Sequence, residues 1–209
     1  VQPNGNITRA EVATIFFRLL TDESRNEYWS SANAYSDVHA GDWYNNAIST
    51  LSNAGIVSGY PDGTFRPNAP ITRAEMAKII ALFAKLDRSL DSFNDISGHW
   101  AEAYIRLAAG NGWIQGYPDG SFRPDRSITR AETMTMINRV LERVPSVEEH
   151  LLPYRTMLTF PDCQPGEWYY IAVQEATNSH TYERASGVKN GDEQWIALRA
   201  NRDWTLLEK

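Results

Sequence analysis

Residues 55–75 read GIVSGYPDGTFRPNAPITRAE, and residues 112–132 read GWIQGYPDGSFRPDRSITRAE, a second copy at a shift of 57 without insertion. The match runs backwards through Trp43 and Trp100, Ile48 and Ile105, to YSDV at 35–38 and FNDI at 93–96. Partial copies flank these. VQPNGNITRAEVATIFFRLL at 1–20 is a second half, and FPDCQPGEWYYIAVQEA at 160–176 is a first half. Asp162 and Trp168 keep the spacing of Asp37 and Trp43. Self-similarity at this period marks a repeat architecture. The chain therefore reads as 1–20, the second half of repeat 1; 35–86, repeat 2; 93–144, repeat 3; and 160–209, a diverged first half with a C-terminal cap. The order begins mid-unit, and a closed pseudo-threefold arrangement follows if the terminal halves pair.

Each half carries a helical stripe. Val12, Ile15, Phe16, Leu19 and Leu20 follow Glu11, while Met76, Ile79, Ile80 and Phe83 follow Glu75. Met136, Ile137, Val140 and Leu141 follow Glu132. In the first halves Trp43, Ala47, Ile48 and Leu51 share a face until Gly55, where a glycine followed by Ile56 predicts a left-handed helix end. Gly112 and Trp113 repeat that signal. Pro61, Asp62 and Gly63 predict a tight turn between the halves. The expected fold class is all-α: helix-loop-helix repeats in a bundle with a diverged cap. Residues 20–34 and 145–159 lack periodicity and read as linkers. After Thr177 the loop motif is gone, His180 stands where Gly55 and Gly112 stand, and Trp195 and Trp204 are expected to pack against the body.

The pentapeptide ITRAE occurs three times, at 7–11, 71–75 and 128–132. Thr8, Thr72 and Thr129 precede helices with Glu11, Glu75 and Glu132 three residues on, the capping-box spacing. Ile7 with Val12 and Ile71 with Met76 have staple spacing, whereas Ile128 faces Thr133. The arginine is left over. Arg9, Arg73 and Arg130 take the first helical position, where the dipole disfavours a cation by ~0.3–1 kcal/mol. Two kinds of partner are open: an internal carboxylate among Asp37, Asp62, Asp95 and Asp119, or an external anion held between guanidinium and helix start.

Bulk composition narrows the function classes. Apolar residues make up 42% and charged residues 22% of 209, a globular composition. The formal charge of −6 argues against non-specific nucleic-acid binding. No apolar run reaches the ~20 residues of a membrane span. Residues 1–20 show no signal-peptide pattern, and the mid-repeat start reads as an excised piece of a longer protein. Cys163 is the sole cysteine, so no internal disulfide forms. His39 and His99 lack a second ligand at metal spacing, so no metal is expected there. YPDGTFRPN lacks the alternating oxygen ligands of a calcium loop.

The pattern FxD, then Trp, then GI.GY.DGTFRP…ITRAE resembles the S-layer homology family of bacterial cell-surface proteins, across roughly 165 of 209 residues. The resemblance implies a helical, three-repeat, non-catalytic domain that needs no cofactor. It implies anchoring to a secondary cell-wall polysaccharide carrying a pyruvate ketal, in grooves between repeats at the cell surface. On this chain Arg9, Arg73 and Arg130 would meet the acid group. Trp43 and Trp100, or Tyr60 and Tyr117, would offer a flat face to sugar, and Gly59 and Gly116 would let ligand reach the backbone. Asp37 and Asp95 complete the candidate set, with a turn or cap role as their alternative. Expected partners are wall polysaccharide and surface-layer neighbours, without nucleic acid or membrane insertion. The chain departs from the pattern at both ends: the first unit lacks its first helix and loop, the last its loop and TRAE helix. A protein–protein assembly module and the non-catalytic part of a wall hydrolase are the competing readings. Replacing Arg73 and Arg130 by alanine is expected at this level to abolish wall binding with little loss of stability.

Overall fold

The computed structural model describes residues 1–84, 93–143, 145–184, 192–205 and 207. The repeat boundaries at 86 and 144, and part of the 160–209 segment, lie outside the described residues. The chain divides into two compact units. One runs from Ile7 to Ile71 and takes in the C-terminal segment from Arg202; the other joins Val1–Asn6 to Thr72–Asn201.

In the Ile7 unit, α1 (Arg9–Leu19) packs on α3 (Asn45–Asn53) around Phe16, Phe17, Ile48, Leu51 and Phe65. Thr8 accepts from the Glu11 amide at 3.2 Å while Glu11 Oε2 accepts from the Thr8 amide at 2.8 Å, closing the capping box. Gly55 has φ 70°, and the Ile56 amide reaches back to the Leu51 carbonyl at 2.9 Å, the expected left-handed end. Within the stretch read as a linker lies α2 (Asp22–Tyr28), capped by Thr21. Its Arg25, 2% exposed, donates to the carbonyls of Phe17, Arg18 and Leu20 at the end of α1. That helix has polar residues on every face, so periodicity could not find it. Trp204 lies 4.9 Å from the Arg25 guanidinium and 4.6 Å from that of Arg202.

In the Thr72 unit, α4 (Arg73–Ala81) packs on α5 (Glu102–Gly110), and α6 (Arg130–Val140) on α7 (Tyr170–Thr177). Met76, Ile80, Ile96, Ile105, Phe122 and Ile128 are buried. Thr72 with Glu75 and Thr129 with Glu132 close two further capping boxes. Thr133, the polar residue at the third staple position, is fully buried with its hydroxyl donating to the Thr129 carbonyl at 3.0 Å. In both units each TRAE helix thus packs against the first helix of the following copy. The packing unit is therefore offset by half a repeat from the sequence copy.

The expectation of an all-α chain is corrected by an antiparallel hairpin, β1 (His180–Arg184) with β2 (Glu193–Leu198), which pairs His180 with Leu198 at one end and Arg184 with Glu193 at the other, with a register shift between Thr181 and Tyr182. HTYER and EQWIAL carry no helical stripe. Glu193 and Trp195 are buried two apart with Gln194 exposed between them, the strand period. Trp195 joins a core with Tyr170, Val173, Cys163, Leu151 and Met157. No described helix is long and apolar enough to cross a membrane.

Candidate functional site

The loop between α5 and α6 is assembled from the main chain outwards. Asp95 accepts the Phe122 and Arg123 amides, each at 2.7 Å. Asp37 does the same for Phe65 and Arg66 at 2.8 Å, and Asp162 accepts the Gln2 amide at 2.6 Å. Arg66, Arg123 and Gln2 hold φ of 58°, 57° and 54°, a left-handed conformation that these carboxylates fix. Asp37 and Asp95 therefore clamp backbone 27 to 29 residues away, a long-range role that a local turn or cap reading does not describe. Asp95→Ala is expected to cost roughly 2–4 kcal/mol, two charge-assisted hydrogen bonds lost, measured as a drop in the denaturant midpoint. An unchanged midpoint would contradict the clamp.

Asp119 accepts from the Ser121 hydroxyl at 2.6 Å and from Arg123 at 2.9 Å; Asp62 pairs likewise with Thr64 and Arg66. These bonds, the Thr64 hydroxyl first, hold the Asp62 carboxyl down at about 2. Gly63 and Gly120 supply the positive φ of 82° and 79° that the turn needs. Gly59 and Gly116 answer to a different demand. A Cβ on Gly59 would sit 2.4 Å from the Tyr35 ring and 2.5 Å from the Thr64 carbonyl oxygen. On Gly116 it would sit 2.4 Å from Phe93 and 2.6 Å from the Ser121 oxygen. The bare Cα makes room for an aromatic ring of the same chain.

The arginines find a partner that neither sequence alternative named. Arg73, 3% exposed, donates through Nε to the Phe122 carbonyl at 2.8 Å and through an η nitrogen to the Gln115 carbonyl at 2.9 Å. Arg9, 7% exposed, holds Phe65 and Ser58 in the same way at 2.8 Å. Arg130, half-buried, donates through Nε to the Val1 carbonyl at 2.8 Å. Each guanidinium ties a helix start to the backbone of a neighbouring segment. Arg73 also has a carboxylate nearby, with Glu132 at 3.5 Å. Burial pulls the Arg73 pKa below its ordinary value, partly offset by Glu132.

Around Tyr117 three guanidinium groups converge. Arg123 lies 3.9 Å, Arg73 5.1 Å and Arg126 5.6 Å from the ring centre. Arg126 also reaches the Tyr117 hydroxyl and Glu132. The side chains of Arg123 and Arg126 are 48% and 42% exposed, whereas Arg73 lies beneath. Tyr60 carries Arg66 at 4.1 Å and Arg9 at 4.8 Å, with Ala69 where the other loop has Arg126. Arg123 ties the loop to the Asp119 carboxylate, as FRP suggests, whereas Arg126 was not singled out in the sequence; ITRAE drew attention to the buried member of the set.

Trp43 and Trp100 stand just before α3 and α5, 55% and 56% exposed. Trp168, just before α7, is 64% exposed and was also missed, although its spacing from Asp162 marked it. Each packs edgewise or tilted on a neighbour: Tyr44, His99 and Tyr169. His99 in turn bonds Asp125 at 3.2 Å, next to Arg126.

A repeated loop held by the arginine that opens each TRAE helix, with an exposed tryptophan before each partner helix, defines a helical repeat module. The model of the S-layer homology domain matches residues 34–77 and 92–134, and the chain belongs to this family. It is 38% identical over 189 residues to a cellulosome-anchoring protein of Acetivibrio thermocellus, covering 87% of this chain and 41% of that protein. It is 34% identical over 149 residues to a surface-layer 125 kDa protein of Lysinibacillus sphaericus, covering 68% and 12%. An amylopullulanase of Thermoanaerobacterium thermosulfurigenes is 36% identical over 152 residues, covering 68% and 8%. The chain thus spans less than half of each of these relatives.

Proposed function

We propose that the chain is a non-catalytic anchoring module that holds its parent protein to an acidic, pyruvylated secondary cell-wall polysaccharide. Family membership places it at the bacterial cell surface. The exposure of Trp43, Trp100 and Trp168 carries the saccharide reading. A large indole left in solvent at one repeated position gains from a ligand with an apolar face. The half-exposed Arg123 and Arg126 supply charge-assisted donors suited to a carboxylate. Arg9 and Arg73 support the loop from below, and Arg130 secures the Val1 segment. The non-catalytic reading is supported by Glu75 and Glu132 closing capping boxes, and by Asp62 and Asp119 closing turns.

Cosedimentation with purified walls tests this. Trp100→Ala is expected to weaken binding about 3- to 10-fold, from ~0.5–1.5 kcal/mol of stacking. Arg126→Ala is expected to weaken it roughly 10- to 100-fold, from ~1.5–3 kcal/mol per charged hydrogen bond. Both side chains are substantially exposed, so the melting temperature should hold. Undiminished binding by both variants, or binding to walls stripped of polysaccharide, would refute the saccharide reading. Release of reducing sugar would refute the non-catalytic one.

A further inference from the structure

Where the hairpin meets α7, three ligand-type side chains come together. They are Glu175 on α7, His180 opening β1 and Glu193 opening β2, with one ligand atom from each within 4.8 Å of the others. Glu175 and Glu193 are 5% and 0% exposed. Each carboxylate has one oxygen engaged. Trp195 donates its indole N–H to Glu175 Oε2 at 3.0 Å, and Arg184 donates to Glu193 Oε1 at 2.9 Å. The remaining oxygens, Glu175 Oε1 and Glu193 Oε2, are buried without a hydrogen-bond partner among the described residues. Leaving ionised oxygens so is costly unless a cation compensates them.

The imidazole is oriented to supply that compensation. His180 Nδ1 lies 2.7 Å from the Asn178 carbonyl oxygen, which can only accept. A proton therefore sits on Nδ1, and with the ring neutral Nε2 presents a lone pair. Nε2 stands 3.4 Å from Glu175 Oε2, so two electron-rich atoms face each other. An ion bonded to both at ~2.0–2.1 Å would subtend about 110°, the tetrahedral angle. The ring is held in place by the Trp195 indole, stacked at 3.8 Å and 17°. Every prospective ligand thus has an outer partner that fixes its direction: Asn178, Trp195 and Arg184.

We infer that Glu175, His180 and Glu193 form a binding site for a first-row transition ion such as Zn2+, fastening the hairpin to α7. An imidazole beside two carboxylates suits such an ion, whereas Ca2+ takes six to eight oxygens. The three ligands are 5 and 13 residues apart in sequence, so no short metal motif announces them.

The test uses the whole chain, stripped with chelator and titrated with ZnCl2 by calorimetry and by thermal melting. Expected are one ion per chain, a rise of several degrees in melting temperature that chelator reverses, and loss of both in Glu193→Gln and Glu175→Gln. His39, His99 and His150 remain in those variants. Binding that persists in them therefore places the metal elsewhere and overturns the proposal. Should the variants fail to fold, Co2+ added to the unaltered chain decides: a tetrahedral visible absorption band displaced by Zn2+ supports the site, and its absence overturns it. A chain that shows no heat and no stabilisation by Zn2+, yet is stabilised by acid, holds a proton there and not a metal.

Discussion

Arg73→Ala should lower the melting temperature by roughly 10 °C, corresponding to ~3–5 kcal/mol for a chain of this size. The substitution strips the Phe122 and Gln115 carbonyls of the donors at 2.8 and 2.9 Å and takes a cation from beside Glu132. Phe122 is fully buried, so its carbonyl has no ready access to water in compensation. Arg73→Lys should recover only part of the loss, because one ammonium cannot reproduce a planar fork across two carbonyls. The sequence-level expectation was little change in stability; an arginine 3% exposed reverses it. A melting temperature within a degree of the parent would contradict the bridge. The consequence for binding experiments is direct. Loss of wall attachment in this variant reports a collapsed loop, so Arg126 and Trp100 are the positions that report contact.

Gly116→Ala should be comparably damaging, at roughly 3 kcal/mol or more. The new Cβ would lie 2.6 Å from the Ser121 carbonyl oxygen, which itself accepts the Tyr117 amide at 2.8 Å. That oxygen belongs to the backbone and cannot swing aside, and Phe93 blocks the other direction at 2.4 Å. Gly112→Ala is the internal control. It has φ 76° but open space within 4 Å, so it should cost only the ~1–2 kcal/mol of a left-handed alanine. Denaturant unfolding of the two variants side by side checks the order. If Gly112→Ala is the more damaging, the account of Gly116 is wrong.

Local signals in the sequence translated well into structure. Thr8, Thr72 and Thr129 with their glutamates close all three capping boxes, and Gly55 and Gly112 end their helices left-handed. These features depend on residues within five positions of each other, so spacing alone exposes them. What depended on distant partners did not show. Arg9 and Arg73 bond main-chain carbonyls 42 to 56 residues away, and a carbonyl has no residue identity to read. The offset packing of α1 on α3 and α4 on α5 is likewise invisible to a period that is the same either way. The hairpin escaped because β1 and β2 are short, and Glu193, a charged residue, occupies a buried strand position. Of the candidate site, Tyr117 and Trp100 were legible from the repeat. Arg126 was not, since the preceding copy has Ala69 in its place.

The most direct measurement is a binding titration of the chain with wall saccharide bearing its acidic group, set against the same saccharide with that group removed. The account predicts saturable binding to the acidic form, at least tenfold weaker binding to the neutral form, and no shortening of the polymer. Equal affinity for both would contradict the role given to the guanidinium cluster around Tyr117.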